Sequence, residues 1–458
     1  MVHYDAIIVG TGQAGPPLAR KLADQGHKVA LAEGGTFGGS CVNYGCTPSK
    51  AMIGSANAIQ TARRGGDFGF KAGQIEADFT RVVERRDGIV RESREGLIKS
   101  LEHRRNITIY REYASFEDAK HIRVGSDVIE GDKIYLNTGT RSAIPAIEGL
   151  DKVPYLDNVR LMGLTVLPKH LIIIGAGYIG LEFALAFQRY GSQVTVIDHS
   201  GVIIDHEDGE FSELVHRVLT REGVRFAFNS EATHVGYVNG EIEVKVEHKS
   251  GFEQILRGTH LLIAAGRLPN SNQIGAEKIG LALDKRGFIQ VDDHLRTNVE
   301  GVYALGDVNG RGAFTHTSYD DYQIIVDNLK GGDRKVSDRI LAYAMYIDPP
   351  LAHVGLSERD VRAQSLQDVL VAKLPMTKVN RANEYGQNEG LMKILVDGKT
   401  QQFLGATLYG MSADEVIHSI LDMMYAKAPY TVMMRAMHIH PTVSELLPTM
   451  LEQLKPLQ

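Results

Sequence analysis

Two cysteines, Cys41 and Cys46, stand with four residues between them in "GGSCVNYGCTPSK" (Gly38 to Lys50), and the 458-residue chain has no others. Thiols at such spacing can exchange with disulfides, hold a soft metal, or simply fill space. On a regular helix, residues five apart have Cα atoms about 8–9 Å apart, beyond the roughly 4.4–6.8 Å that a disulfide spans. A bond between them therefore needs a distorted turn, which Gly38, Gly39 and Gly45 permit. Such a bond would be easily reduced, which suits turnover. Zinc would need two further ligands, for which His438 and His440 are the candidates. Geometry alone leaves redox, zinc and unlinked structural thiols open.

The totals narrow the setting. Hydrophobic content of 43% and charged content of 23% describe an ordinary globular protein with room for several domains. A net charge of −6 gives no reason to expect nucleic acid. No stretch reads as a membrane span, since the most apolar one, Leu171 to Phe187, carries Glu182 and three glycines. The opening "HYDAIIVG" enters a strand pattern with no room for a secretory signal, so a cytoplasmic, reducing location is expected.

The elements that must position the thiols come as a repeat. "AIIVGTGQAG" carries Gly10, Gly12 and Gly15 after an apolar run, and "LIIIGAGYIG" carries Gly175, Gly177 and Gly180 in the same setting. Glu33 and Asp198 each end the next apolar run, and the second set lies 165 residues after the first throughout. One such glycine pattern is weak, but two strand-led, helix-followed copies closed by an acid predict two dinucleotide sites. The glycines let backbone approach a pyrophosphate at a helix N-terminus, and the acid accepts hydrogen bonds from a ribose. Cys41 follows Glu33 by eight residues, so the first site faces the thiols. A nicotinamide gives hydride, and flavin converts hydride into electrons for sulfur; the first unit is expected to hold FAD and the second NAD(P)H.

With these motifs the chain resembles the FAD-dependent pyridine nucleotide-disulfide oxidoreductases, the family of dihydrolipoamide dehydrogenase, glutathione reductase and mercuric reductase. The resemblance runs nearly end to end. It covers the cysteine motif, "LNTGTRSAIPAIEG" (Leu136 to Gly149), "AAGRLPN" (Ala264 to Asn270), "TNVEGVYALGDV" (Thr297 to Val308) and "HPTVSE" (His440 to Glu445). It implies an α/β chain with two Rossmann-like domains and an α+β dimerisation domain. The FAD-binding domain would comprise 1–149 and 268–338, the NAD(P)-binding domain 150–267, and the dimerisation domain 339–458.

The resemblance also implies roles. Cys46 matches the thiol next to the flavin, Cys41 the one that attacks substrate, and His440, oriented by Glu445, the acid–base of thiol exchange. Lys50 and Glu182 match a pair beside the flavin. Thr138, Gly139, Gly306 and Asp307 match flavin contacts, and Gly266 and Arg267 the return from the NAD(P) domain. Tyr178 matches a lid over the nicotinamide. Asp198, with no Arg or Lys between it and Ile204, favours NADH over NADPH. A homodimer is expected, His440 completing the partner's site. No resident metal site is expected. A small disulfide leads as acceptor; a metal ion such as Cu(II) or Hg(II), with His438 adding nitrogen, or a quinone comes second. A dehydrogenase-complex subunit and a flavin-binding sensor are the rivals. "ELLPTMLEQLKPLQ" lacks the cysteine pair of mercuric reductases, so the likeness does not itself establish mercury reduction.

Overall fold

The structure, a computed structural model, describes all 458 residues. The first unit begins with Val2–Val9, flanked in parallel by Val29–Ala32 and Asp127–Leu136. Ile107–Tyr110 extends the sheet beyond Val29–Ala32. Asp127–Leu136 forks: its first half pairs with His121–Val124, and its last residues pair in parallel with Val302–Ala304. The late strand thus brings Gly306 and Asp307 to the strand ends that also carry Gly10 and Thr138. Val2–Val9 is followed by helix Gly15–Asp24, whose Pro16 and Pro17 preset φ for the first turn.

The second unit repeats the plan with four parallel strands in the order Arg225–Ala227, Gln193–Ile197, His170–Ile174, His260–Ile263. The repeat reaches individual hydrogen bonds. Gly10 donates its N–H to Ala32 at 2.8 Å and Gly175 to Ile197 at 2.9 Å. Helix Tyr178–Tyr190 is buried on almost every face, through Leu181, Phe183, Ala184, Leu185 and Phe187, and packs on helix Cys46–Arg63. An antiparallel ladder, Thr140–Ser142 with Arg267–Pro269, ties the chain leaving the first unit to the chain returning to it.

The last part is a six-stranded antiparallel sheet, ordered Ala342–Met345, Leu351–Gly355, Phe403–Tyr409, Leu391–Asp397, Val369–Pro375, Lys455–Pro456. Helix Ala413–Tyr425 covers it with Val416, Ile417 and Ile420. Met437 and Ile439, on either side of His438, are 99% and 80% exposed, a large unprotected apolar surface for one chain. No helix is long and apolar enough to cross a membrane.

Candidate active site

The distortion that the thiols need occurs at Gly45. Helix Gly39–Tyr44 ends there and helix Cys46–Arg63 begins, so the two cysteines sit on successive short and long helices. A Cβ on Gly45 would lie 2.9 Å from the carbonyl oxygen of Ser40, which accounts for glycine at the break. The sulfurs are unlinked. The neighbouring Cys41 thiol, then the Thr315 hydroxyl and the Lys50 charge, outweigh burial and lower the Cys46 pKa to about 6. The Cys41 thiol is pushed far above its ordinary range by the same contact and by burial. Thr315 Oγ1 lies 3.2 Å from Cys46 Sγ at the start of the 15-residue helix Thr315–Leu329. Cys46 also opens its own helix, whose N-terminal dipole favours an anion. The thiolate is thus assigned to Cys46 and the proton to Cys41.

Cys41, Cys46 and Lys50 line a cavity of about 670 Å3 together with Gly10, Gly12, Glu33, Thr138, Gly139, Tyr178, Glu182, Arg267 and Asp307. Its glycine loop is closely fitted: Cβ atoms would meet Asn137 O at 2.3 Å from Gly10, and Gly10 O at 2.3 Å from Gly15. Glu33 accepts Thr11 N–H at 2.9 Å and Gly35 N–H at 2.8 Å. Thr138 Oγ1 is buried with no protein partner, which suits a polar ligand in this cavity. Arg267 donates to Thr140 Oγ1 at 2.7 Å, and that hydroxyl donates to Asp307 Oδ2 at 3.0 Å. Burial raises the Asp307 pKa, with Arg267 and Thr140 opposing. Gly306 lies beneath, its N–H on Asp321 Oδ2 at 2.6 Å. An elongated nucleotide with phosphates at the glycines and a polar chain at Asp307 fits this donor and acceptor set.

Lys50 Nζ reaches Glu182 Oε2 at 2.7 Å, with the carboxylate side chain only 4% exposed. Glu182 Oε1 accepts the Tyr346 N–H at 2.8 Å, and the Tyr346 ring lies 4.7 Å from Lys50 Nζ. The lysine is held by charge on one side and an aromatic face on the other.

A second cavity of about 560 Å3 is lined by Gly175, Gly177, Asp198, His199 and Gly266. Asp198 accepts Ala176 N–H and Ser200 N–H, both at 2.7 Å, repeating Glu33 at the 165-residue offset. Gly180 stays behind the loop, where a Cβ would lie 2.1 Å from Gly175 O. The two cavities share Asn158, Tyr178, Ile179, Phe183 and Arg267 as a common wall. His440 lies elsewhere. Its Nδ1 is 2.9 Å from Glu445 Oε2, the imidazole is 70% exposed, and it lines neither cavity.

Sequence reasoning missed Asn137, Thr315, Asp321 and Tyr346. Asn137 is buried, accepts Gly15 N–H at 3.0 Å and donates to Leu305 O at 2.9 Å, joining both halves of the first unit. Its place just before the Thr138–Gly139 pair was the available signal.

Two adjoining cavities, each built on a strand–glycine-loop–helix unit, with a dithiol on the wall of one, define an oxidoreductase that connects a nucleotide to sulfur. The comparisons agree. Residues 4–321 match the family described as pyridine nucleotide-disulphide oxidoreductase, and residues 341–451 match its dimerisation domain. The chain is 34% identical to the probable pyridine nucleotide-disulfide oxidoreductase RclA of Escherichia coli, over 98% of each chain. It is 32% identical to mitochondrial dihydrolipoyl dehydrogenase 1 of Arabidopsis thaliana, over 97% of this chain and 89% of the relative. A solved Cu(II) complex of the HOCl-induced flavoprotein disulfide reductase RclA superposes with a TM-score of 0.90, at 33% identity and 99% coverage of both chains. The chain belongs to the pyridine nucleotide-disulphide oxidoreductases. It is an FAD-dependent, NAD(P)H-linked enzyme of that family.

Proposed function

We propose that this enzyme uses NADH to reduce a small disulfide, working as a homodimer whose active site joins Cys41 and Cys46 of one subunit to His440 of the partner subunit. The observation that carries the reading is the common wall. Tyr178 and Arg267 separate a nucleotide cavity from the cavity whose far side bears the thiols. We take the domains as 1–149 with 268–338, 150–267, and 339–458, as the sheet boundaries favour.

FAD, when bound, supplies a two-electron relay between nicotinamide and disulfide. Gly10, Gly12, Gly15, Glu33, Thr138, Gly139, Gly306 and Asp307 would hold it, with Lys50 and its Glu182 counter-ion on the cysteine side. Gly175, Gly177, Gly180, Asp198, Gly266 and Arg267 would hold the nicotinamide nucleotide, with Tyr178 as lid.

Two electrons and a proton convert the Cys41–Cys46 disulfide into the Cys41 thiol and Cys46 thiolate. Cys41 loses its proton to His440 of the partner subunit and attacks one sulfur of the acceptor. A mixed disulfide forms, and the displaced thiolate takes that proton back. Cys46 thiolate then attacks Cys41 sulfur, re-forming the pair and releasing the second product as a thiolate, which takes its proton from solvent. Glu445 keeps the imidazole oriented through Nδ1. The exposed Met437 and Ile439 give the partner a surface to cover.

Asp198 supports NADH, because its carboxylate repels a 2′-phosphate and Arg267 is the one Arg or Lys lining that cavity. Asp198→Ala is expected to lower kcat/KM for NADH by about tenfold and NADPH much less, a ribose hydrogen bond to a charged group being worth about that factor. A wild-type preference for NADPH rejects this assignment.

A second reading, reduction of a metal ion, is favoured by the Cu(II) complex of the E. coli relative and by a mercuric reductase of Lysinibacillus sphaericus 29% identical to this chain. Half-buried His438 beside His440 would then add a nitrogen donor. Steady-state NADH oxidation with a panel of disulfides, Cu(II), Hg(II) and quinones separates the two. Turnover with a disulfide at least as fast as with any metal ion or quinone supports the first, and turnover confined to metal ions or quinones overturns it.

A further inference from the structure

The lid has a built support. Tyr178, in the common wall, lies against Phe314 at 5.7 Å between ring centroids. Phe314 is stacked in turn on Tyr343 at 5.7 Å with the rings 7° from parallel, and Tyr343 on His353 at 5.1 Å. Tyr343 lies on Ala342–Met345, the first strand of the dimerisation part, and lines neither cavity. Its hydroxyl donates to Glu207 Oε1 at 2.6 Å, the one hydrogen bond this carboxylate receives. Glu207 is only 1% exposed at the end of the segment from Asp198, and its neighbours Asp205 and His206 line the nucleotide cavity. Phe314 precedes Thr315, whose hydroxyl touches Cys46.

We propose that Tyr343 is a positioning residue that braces Phe314 between the Tyr178 lid and the Thr315–Cys46 contact, with Glu207 fixing it from the nucleotide-binding segment. Ring contact is what the brace transmits. A nucleotide entering beside Tyr178 presses the lid on a platform that cannot retreat, because the Tyr343 ring backs Phe314. The same platform sets the backbone from which Thr315 reaches Cys46. Tyr343 therefore influences two things that no ligand contact of its own explains: nucleotide affinity and the acidity of Cys46. This rests on the reading of the second cavity as the nicotinamide site.

The test uses the holoenzyme carrying Tyr343→Leu, which removes the ring, and Tyr343→Phe, which keeps it. Equilibrium binding of NAD+ and the pH profile of Cys46 alkylation in the reduced protein are measured beside KM for NADH and for the acceptor. Tyr343→Leu is expected to weaken NAD+ binding and raise KM for NADH about three- to tenfold, the scale of one aromatic pair. It should also move the alkylation midpoint upward, leaving KM for the acceptor unchanged. Tyr343→Phe should recover most of both effects while melting at a lower temperature, since it strands a buried carboxylate. Phe314→Leu, which leaves the Tyr343–Glu207 bond, should repeat the Tyr343→Leu pattern and stands in if that variant does not fold. Wild-type values for NAD+ binding and Cys46 acidity in the leucine variants overturn the proposal, as does an equal change in acceptor KM. A wild-type protein that binds no NAD+ would instead reject the underlying reading of the cavity.

Discussion

Cys46→Ser is expected to abolish NADH-driven disulfide reduction, with a loss of at least about 10³-fold, because the second exchange step has no nucleophile without it. It should also remove the long-wavelength absorption that a thiolate lends to an adjacent flavin. Cys41→Ser should be equally inactive towards disulfides yet display that absorption without any reductant. The two variants differ because the thiols are unequal. Cys46 has a pKa lowered to about 6 by the Cys41 contact, Thr315 and Lys50, whereas Cys41 is pushed up. In Cys41→Ser, which lacks the largest of these contributions, the absorption should persist at high pH and bleach on acidification with a midpoint above about 6. Spectra of the two variants from pH 5 to pH 9 check both points. Absorption that survives in Cys46→Ser reverses the roles of the two thiols.

The second large effect concerns His440. Its imidazole is exposed, paired with Glu445 and absent from the thiol cavity, whose one histidine, His316, is tied through Nε2 to the Ala342 carbonyl oxygen at 2.7 Å. His440→Ala is expected to lower turnover about 10²- to 10⁴-fold, the usual contribution of a positioned acid–base group. Co-expression of Cys46→Ser with His440→Ala should restore activity. In a mixed dimer with a shared site, one site carries both lesions and the other none, while about half of randomly paired dimers are mixed. Roughly a quarter of wild-type activity per site should return. Mixed dimers that regain nothing place both groups of each site on one chain.

The two nucleotide units were legible in the sequence because each is local. A strand, a glycine turn, a helix and the next strand's acid lie within about 30 residues, and the backbone hydrogen bonds of Glu33 reappear at Asp198. The Lys50–Glu182 pair was legible through the resemblance, and the structure brings it to 2.7 Å. The supporting residues were not legible. Asn137 joins Gly15 to Leu305, Thr315 meets Cys46, and Tyr346 meets Glu182, each across more than 100 residues of chain. No periodicity or short motif encodes such contacts; they exist only once the late strand Val302–Ala304 and the dimerisation sheet have docked. The helix break between the thiols was foreshadowed by the glycines, though the need for glycine at Gly45 appears only in the 2.9 Å approach to Ser40.

The central claim is that the Cys41–Cys46 pair stores electrons in series with the cofactor, and anaerobic reductive titration of the purified protein tests it most directly. The account predicts uptake of about four electrons per chain, two by FAD and two by the disulfide, falling to about two in Cys41→Ser and in Cys46→Ser. Uptake of only about two electrons by the oxidised wild-type protein, unchanged by either substitution, would contradict it.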